Sequence, residues 1–323
     1  MHLTVSADCR HLEKEGRPFF WLADTIWSAF TNITLEDWAY YLKRRREQGF
    51  TVLQINTLAQ WDRGESTLGW APFADAEDGF PDYARPREEY FAHARQMCRM
   101  ARQEGFTLAL VILWCNQVPG TWANQLVPRY TIPKDLLRGI VTRILYSFDE
   151  FEPVYVVSGD TDFPTEESIE YYQTVFDLLA QRSFQGLKTM HIKGRFTDLP
   201  EVFARQMDFY MYQSGHNSGA QAMAYTSAEV LAARQPKRPV INSGPALAAT
   251  PSTAVLDGMR SAAPPGRVCC PVPAPESPTA PTGSGTGSPP ACAAAFRWAR
   301  ALTRPSPTRR RWPSRAGGTM ASS

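Results

Sequence analysis

Two carboxylates stand directly after an apolar run near the middle of the chain. The run Val154-Tyr155-Val156-Val157 is followed by Ser158-Gly159 and then by Asp160 and Asp162. Four apolar, mostly β-branched residues in a row predict a strand that is buried on both faces, as in a parallel sheet. A carboxylate at the carboxyl end of a buried parallel strand lies where such folds place their chemistry, which makes Asp160 a candidate functional residue. The alternative interpretation is that Asp160 only caps a loop.

The ends of the other predicted strands carry rings, amides and further polar groups. Sugar C–H faces stack on aromatic rings, and sugar hydroxyls need partners that donate and accept hydrogen bonds, so this set favours an oligosaccharide or glycoside ligand. Each tryptophan, taken alone, is more readily explained as a core residue. His216 is a lone histidine, which favours a hydrogen-bonding role, and the spacing of potential ligands predicts no metal and no cofactor. The predicted substrate-binding residues are Asp24, Trp27, Asn56, Trp61, Trp114, Asn116, Asp162, Gln213, His216 and Asn242.

These side chains need a scaffold that brings successive strand ends together. Seven apolar strands alternate with six helices along the sequence, which predicts parallel strands joined by crossover helices. We therefore predict an α/β fold of the (β/α)8 TIM-barrel type, incomplete because its eighth strand is missing, and preceded by a short N-terminal β-hairpin over residues 3–17. An open doubly wound sheet is the alternative, but the chain has no G-x-G-x-x-G turn. The predicted strands are 19–23, 50–56, 106–114, 154–157, 187–192, 209–212 and 239–241.

Three helix ends share a sequence device. Gln48-Gly49-Phe50-Thr51 and Glu104-Gly105-Phe106-Thr107 each predict a glycine that stops a helix and leads straight into a strand, and Gln185-Gly186-Leu187 repeats the device more loosely. The first predicted helix begins after Thr34 and ends at Gly49. The other five predicted helices cover about 88–105, 134–148, 166–182, 199–207 and 227–234.

Composition excludes several classes of partner. The 323 residues carry 34 basic and 32 acidic side chains, so no nucleic-acid partner is indicated. No apolar stretch approaches the roughly 20 residues of a membrane span, and the N-terminus lacks the pattern of an export signal. Six cysteines without metal-ligand spacing predict a reduced, cytoplasmic protein. Composition does not predict an oligomeric state.

The composition changes abruptly at Pro245. Residues 245–323 hold 14 of the 26 prolines and nine arginines, but no lysine and two acids, for a net charge of +7. Residues 1–244 carry 25 basic and 30 acidic side chains, for a net charge of −5. We therefore predict a barrel domain over 1–244 and a disordered tail over 245–323.

Several motifs, in consistent order over residues 3–243, resemble those of the apiosidase-like glycoside hydrolases. The resemblance implies a (β/α)8 barrel, often followed by a C-terminal β-domain, that cleaves glycosidic bonds in plant pectin side chains or related glycans. It also implies Asp160 as the acid/base and a glutamate nucleophile at the end of the seventh strand. The motifs are the segments 18–27 (PFFWLADTIW), 49–54 (GFTVLQ), 158–160 (SGD), 213–216 (QSGH) and 239–243 (PVINS).

The sequence departs from the family pattern at that glutamate. The pattern runs Asn-Ser-Glu-Pro, whereas this chain has Asn242-Ser243-Gly244-Pro245. Loss of the second base from GAG-CCC-TGC leaves GGC-CCT-GC, which encodes Gly-Pro-Ala as at residues 244–246. We therefore interpret the tail as out of frame and expect the chain to be inactive; a genuine disordered tail is the alternative.

Two other functions remain open from the sequence. A non-catalytic glycan-binding barrel could use the same aromatic residues. An aldolase-type enzyme could use Lys193, at the end of the fifth predicted strand, for a Schiff base.

Overall fold

The computed structural model describes residues 2–60, 68–215 and 220–244, with the backbone alone at 220–224 and 244. Trp61, His216 and the tail 245–323 therefore lie outside the described residues. The chain opens with a three-stranded antiparallel sheet formed by β1 (Leu3–Val5), β2 (Leu12–Lys14) and β3 (Arg17–Pro18). The predicted hairpin is thus present with one additional short strand. Its Leu3 and Leu12 pack into the main core.

Nine further strands lie in the described ranges. In chain order they are β4 (Ala23–Thr25), β5 (Val52–Asn56), β6 (Phe73–Asp75), β7 (Pro81–Pro86), β8 (Thr107–Trp114), β9 (Val154–Gly159), β10 (Lys188–Thr189), β11 (Tyr210–Gln213) and β12 (Val240–Gly244).

Seven of these strands form the parallel array that the sequence predicts. Strands β4, β5, β8, β9 and β10 pair side by side in chain order, and β11 pairs with β12. A single parallel bridge between His191 and Met211 links the two groups. The array is curved, as the distance between two rings at the starts of separate strands shows. Trp21, before β4, and Phe209, before β11, have ring centroids 5.5 Å apart. It is not closed within the described residues, where β4 and β12 each pair with one strand only. The α/β fold class is confirmed.

Helices cover the outside of this array. They are α1 (Ala29–Asn32), α2 (Leu35–Glu47), α3 (Glu88–Gln103), α4 (Trp122–Leu126), α5 (Lys134–Phe148), α6 (Glu166–Gln181), α7 (Glu201–Gln206) and α8 (Ala220–Ala233).

The sequence signals at several helix ends act as expected. Thr34 Oγ1 accepts from Asp37 N at 3.1 Å and Thr165 Oγ1 accepts from Ser168 N at 3.1 Å, so each caps its helix. Gly49 and Gly105, with φ of 84° and 83°, lead out of α2 and α3 into strands. Among the described helices, none combines the length and apolar character that a membrane crossing requires.

The core has two layers because the parallel strands are buried on both faces. Val52, Ala109 and Val156 belong to the interior cluster, and none of them is more than 1% exposed. Their neighbours Leu53 and Leu108, on the opposite faces of the same strands, are fully buried beneath the helices. The run of apolar residues in each strand follows from this double burial.

Some local predictions were wrong. The first parallel strand begins at Ala23 rather than Phe19, and Phe20 is 48% exposed. The antiparallel pair β6–β7, which precedes α3, was not predicted. The third glycine stop is replaced by Ser183, which takes a φ of 52° after α6.

Candidate active site

Asp160 is held at the end of β9 by groups from three neighbouring segments. Its backbone N–H donates to His191 Nδ1 at 3.1 Å, and its carbonyl oxygen accepts from Trp122 Nε1 at 2.7 Å. The Gln213 side-chain amide donates to its Oδ1. These partners follow or end β8, β10 and β11, so the loops of four strands meet at this carboxylate. Asp160 is therefore fixed in position and does more than cap its own loop.

An aromatic cluster lies against Asp160 and consists of Trp27, Trp114 and His191. The ring centroids of Trp27 are 5.1 Å from Trp114 and 5.5 Å from His191. Gly159 makes room for the cluster, since an ideal Cβ there would lie 2.0 Å from Trp114 Cε3. The structure thus brings together the predicted residues Trp27, Trp114 and Asp160, with His191 joining the rings to the carboxylate.

Asp162 has a different environment from Asp160. Its Oδ2 lies 3.2 Å from Lys193 Nζ, and its Oδ1 accepts from Trp122 N at 3.4 Å. Both carboxylate oxygens are engaged by protein groups and the side chain is 15% exposed, so Asp162 ties two loops together. Lys193 is accordingly an ion-pair partner in this structure.

Three buried amides form a polar layer between the apolar interior and the strand ends. Asn56 and Asn116 are 3% and 0% exposed, and among the described residues the side-chain nitrogen and oxygen of both have no hydrogen-bond partner. Gln54 Oε1 is likewise unpaired, while its Nε2 donates to Ser243 O at 3.4 Å across the interior. Unpaired buried amides call for water or ligand hydroxyls. Their burial places Asn56 and Asn116 beneath the surface that a ligand would touch.

The seventh parallel strand ends beside Asp160. In the pairing of β11 with β12, Gln213 is the partner of Gly244, after a shift of register at Tyr212. Because Gln213 donates to the Asp160 carboxylate, position 244 lies next to the pair formed by these two side chains. Asn242 is 8% exposed, and its Nδ2 donates to Ser214 Oγ at 3.5 Å.

Asp24 lies away from this site, which corrects the expectation that it lines the same mouth. Its carboxylate accepts from Tyr41 Oη at 2.5 Å and pairs with Arg45, both on α2. Strand alternation explains the difference, because Ala23 points into the interior cluster and Asp24 therefore points outward to the helix. Burial raises the pKa of the Tyr41 hydroxyl, and the neighbouring Asp24 carboxylate raises it further, so Tyr41 remains a neutral donor. Asp24 is thus a structural ion-pair partner.

Sequence reasoning missed His191 and Trp122. His191 falls inside the strand predicted over 187–192, and it could have been identified because it lies two residues before Lys193 and so shares a strand face with it. Trp122 had no such signal, since it belongs to α4, a short helix that was not predicted. Neither residue creates a metal site, and no group of three or more potential metal ligands occurs among the residues that the structure describes.

The backbone around the site is strained. Asp160, Phe163 and Arg195 take φ values of 54°, 50° and 63° in the left-handed region that favours glycine. Cys115 beside them is not a candidate nucleophile, because burial raises the pKa of its thiol and the carboxylates of Asp160 and Asp162 raise it further.

A carboxylate at the end of the fourth parallel strand, beside an aromatic cluster, can be compared with known families. The sequence matches the catalytic domain of the apiosidase-like family over residues 6–259. The chain belongs to this apiosidase-like family. Among curated proteins, none matches the chain in sequence.

Solved structures with the same fold are glycoside hydrolases by name. One described as a glycoside hydrolase is 21% identical, with a TM-score of 0.59, and the match covers 76% of the apiosidase-like chain and 56% of the other. A family 5 glycoside hydrolase from Bacteroides vulgatus is 20% identical with a TM-score of 0.60, and the match covers 76% and 54% of the two chains. The apiosidase-like chain therefore spans just over half the length of these relatives. The neighbours support a barrel fold of the glycoside hydrolase type.

Proposed function

We propose that this apiosidase-like chain has a glycan-binding site of the glycoside hydrolase type, with Asp160 as the acid/base residue. One observation carries the proposal. The Asp160 carboxylate accepts a hydrogen bond from Gln213, and Gln213 is the strand partner of residue 244. Position 244 is where the family pattern has its second catalytic carboxylate. Two carboxyl groups on strand ends that converge on one site are what glycoside hydrolysis requires. The aromatic cluster beside them supplies the stacking surface for a sugar ring.

The reaction assigns different roles to Asp160 and to a carboxylate at position 244. The acid gives its proton to the glycosidic oxygen as the bond to the anomeric carbon breaks, and a second carboxylate, about 5–5.5 Å away in retaining enzymes, attacks that carbon. Water then releases the sugar with the first residue acting as base. Gln213 and Trp122 fix the orientation of Asp160 for the first transfer.

Glycine at position 244 removes the second group from this scheme. Gly244 has no side chain to attack the anomeric carbon, and Asp162 is committed to Lys193 and the Trp122 N–H. We therefore propose that the chain as given binds glycans of plant or related origin but does not hydrolyse them. An out-of-frame sequence from position 244 onward would account for the substitution and for the change in composition that follows.

A non-catalytic glycan-binding protein is the second candidate. The observation that favours it is the complete aromatic cluster alongside a glycine in the nucleophile position. The two candidates differ in whether turnover can be restored. A Schiff-base enzyme using Lys193 finds less support, because that amine is paired with Asp162 at 3.2 Å. Borohydride trapping with a carbonyl substrate would test it.

The test compares three proteins on a panel of aryl glycosides. We expect no turnover by the given chain, little by Gly244→Glu, and clear turnover by the product of a gene with the single base re-inserted at codon 244. A lone carboxylate lacks the supporting shell that holds catalytic groups within about 0.5 Å of productive geometry. Turnover by the given chain would refute the proposed loss of the nucleophile.

The role of Asp160 is tested in the repaired background. Asp160→Asn should lower turnover by roughly 10²–10⁴-fold for substrates with poor leaving groups and less for good ones, since only the former need a proton. Asp198→Asn, an exposed carboxylate on a nearby loop, serves as the matched control and should leave the rate unchanged. Equal rates for the repaired protein and its Asp160→Asn variant would remove Asp160 from its role.

A further inference from the structure

A second concave site lies on the same side of the barrel as the aromatic cluster. It is a cavity of about 340 Å³ between Leu58 and Ala59 after β5, the β6–β7 pair, and Gln117 and Tyr130 after β8. This volume is within the range of small-ligand sites in proteins, roughly 300–1,000 Å³. Segments that follow parallel strands sit at the end of the barrel where ligands bind. The cavity is therefore on the functional face.

Gln117 connects the cavity with the candidate active site. Its side chain is part of the cavity wall. The Gln117 Oε1 accepts from Trp114 N at 2.9 Å, and its Nε2 donates to Ala59 O at 3.3 Å. Trp114 in turn lies against Gly159, the residue before Asp160. One glycan chain could thus contact the aromatic cluster and the cavity at the same time.

The cavity wall presents aromatic rings that are held in fixed orientations. Tyr83 Oη donates to the Tyr130 carbonyl oxygen at 2.7 Å, and the Tyr83 ring meets Phe73 edge-on at 4.9 Å. Phe73 and Tyr83 are buried, whereas Tyr130 is half-buried and its ring meets Phe80 edge-on at 5.5 Å. A fixed, partly exposed ring is a platform for the C–H face of a sugar.

Two opposite charges complete the wall. Asp75 and Arg87 are among the residues that line the cavity, and within the described part of the chain no hydrogen bond or ion pair is shown for either side chain. A carboxylate accepts and a guanidinium donates, so together they suit the hydroxyl groups of a sugar. Because the two charges cancel, the cavity has no net charge to attract the carboxylate of a uronic acid, and we expect a neutral unit.

We propose that this cavity binds a neutral sugar unit of the same glycan whose next unit lies on the aromatic cluster. The inference rests on the proposed function, since it assigns a second contact to the same ligand. Tyr130 provides the stacking surface, and Arg87 and Asp75 hold the hydroxyls. The cavity would then select for chain length and for the unit beside the contacted bond.

The experiment measures binding, so it works with the given chain. An array of defined plant oligosaccharides, neutral and uronate-containing, identifies a bound probe, and calorimetry then compares that probe with its homologue one unit shorter. We expect the oligosaccharide that binds to be neutral. We also expect it to bind about tenfold more tightly than its homologue that is one unit shorter. Arg87→Ala and Tyr130→Ala should abolish the gain, while Arg17→Ala, a charge-matched control on β3, should keep it. Circular dichroism confirms that each variant is folded.

The outcomes separate this inference from the function on which it rests. Trp114→Ala should weaken both the longer and the shorter probe, because it alters the aromatic cluster itself. If Trp114→Ala does so while the two cavity variants keep the length-dependent gain, the cavity proposal is overturned and the proposed function stands. A preference for uronate-containing probes would also overturn it. Failure of every oligosaccharide to bind would overturn both.

Discussion

A methyl group added at Gly159 would collide with the ring of Trp114. The ideal Cβ position lies 2.0 Å from Cε3 and 2.6 Å from Cδ2 and Cζ3, whereas ordinary contact begins near 3.4 Å. The ring would have to recede by about 1.5 Å. It has little room to do so, because it is 7% exposed and packs on Trp27 at 5.1 Å between centroids. Gly159→Ala therefore tests whether the aromatic cluster is packed as described.

Two opposing effects set the size of the change. Overpacking a well-packed site costs about 1–3 kcal/mol. Replacing glycine by alanine restricts the unfolded chain and stabilises by about 0.4–1 kcal/mol. The net expectation is a loss of about 1–2 kcal/mol in the free energy of unfolding. For a domain of 150–250 residues this lowers the Tm by roughly 2–8 °C.

Urea denaturation followed by tryptophan fluorescence measures this change. Gly139→Ala is the control, since Gly139 lies within α5 with nothing within 4 Å of its ideal Cβ, and it should stabilise by about 0.5–1 kcal/mol. The double variant with Trp114→Ala should lose less than the sum of the single changes, because the collision is gone. Gly159→Ala as stable as the parent protein would refute the packing described for the cluster.

Two further predictions concern stability away from the site. Asp24→Asn leaves the buried Arg45 cation without its counter-ion and should destabilise by about 3 kcal/mol in urea denaturation, whereas Arg44→Ala at an exposed pair should change stability by under about 0.5 kcal/mol. Burial lowers the pKa of His93 in the folded protein below 6.5. As the pH falls, the unfolded chain therefore binds a proton at His93 before the folded protein does, and the free energy of unfolding decreases until the folded pKa is passed. His93→Phe should reduce the loss of stability measured between about pH 7.5 and about pH 5.

The fold was largely predictable because its signals are local and repeated. Apolar runs such as Val154–Val157 mark strands buried on both faces, and Gly49 and Gly105 mark where helices turn into strands. These features are set by backbone geometry and burial, which a short segment specifies. The pair β6–β7 was missed because its polar residues alternate too little to stand out from a loop.

The candidate site was less predictable because the side chains that contact Asp160 come from separate segments of the chain. Trp114 and Asp160 could be recognised at strand ends, but nothing in the sequence showed that Gln213 would donate to the carboxylate rather than to substrate. Asp24 was misplaced because it was expected to follow the strand, whereas it lies inside β4, where alternation with Ala23 directs its side chain toward the helix. Roles that depend on contacts across the barrel need the three-dimensional arrangement.

The left-handed backbone near Asp160 bears on how the protein could be made more heat-resistant. Each non-glycine residue in this region stores about 1–2 kcal/mol that glycine would release. Phe163 packs against Tyr172 and Phe203, so glycine there would lose those contacts, whereas Arg195 is exposed. Laboratory evolution for thermal tolerance should therefore reach glycine at position 195 first. At position 160 the same gain would remove the carboxyl group, so a variant selected only for heat resistance would lose the residue that we propose as the acid/base.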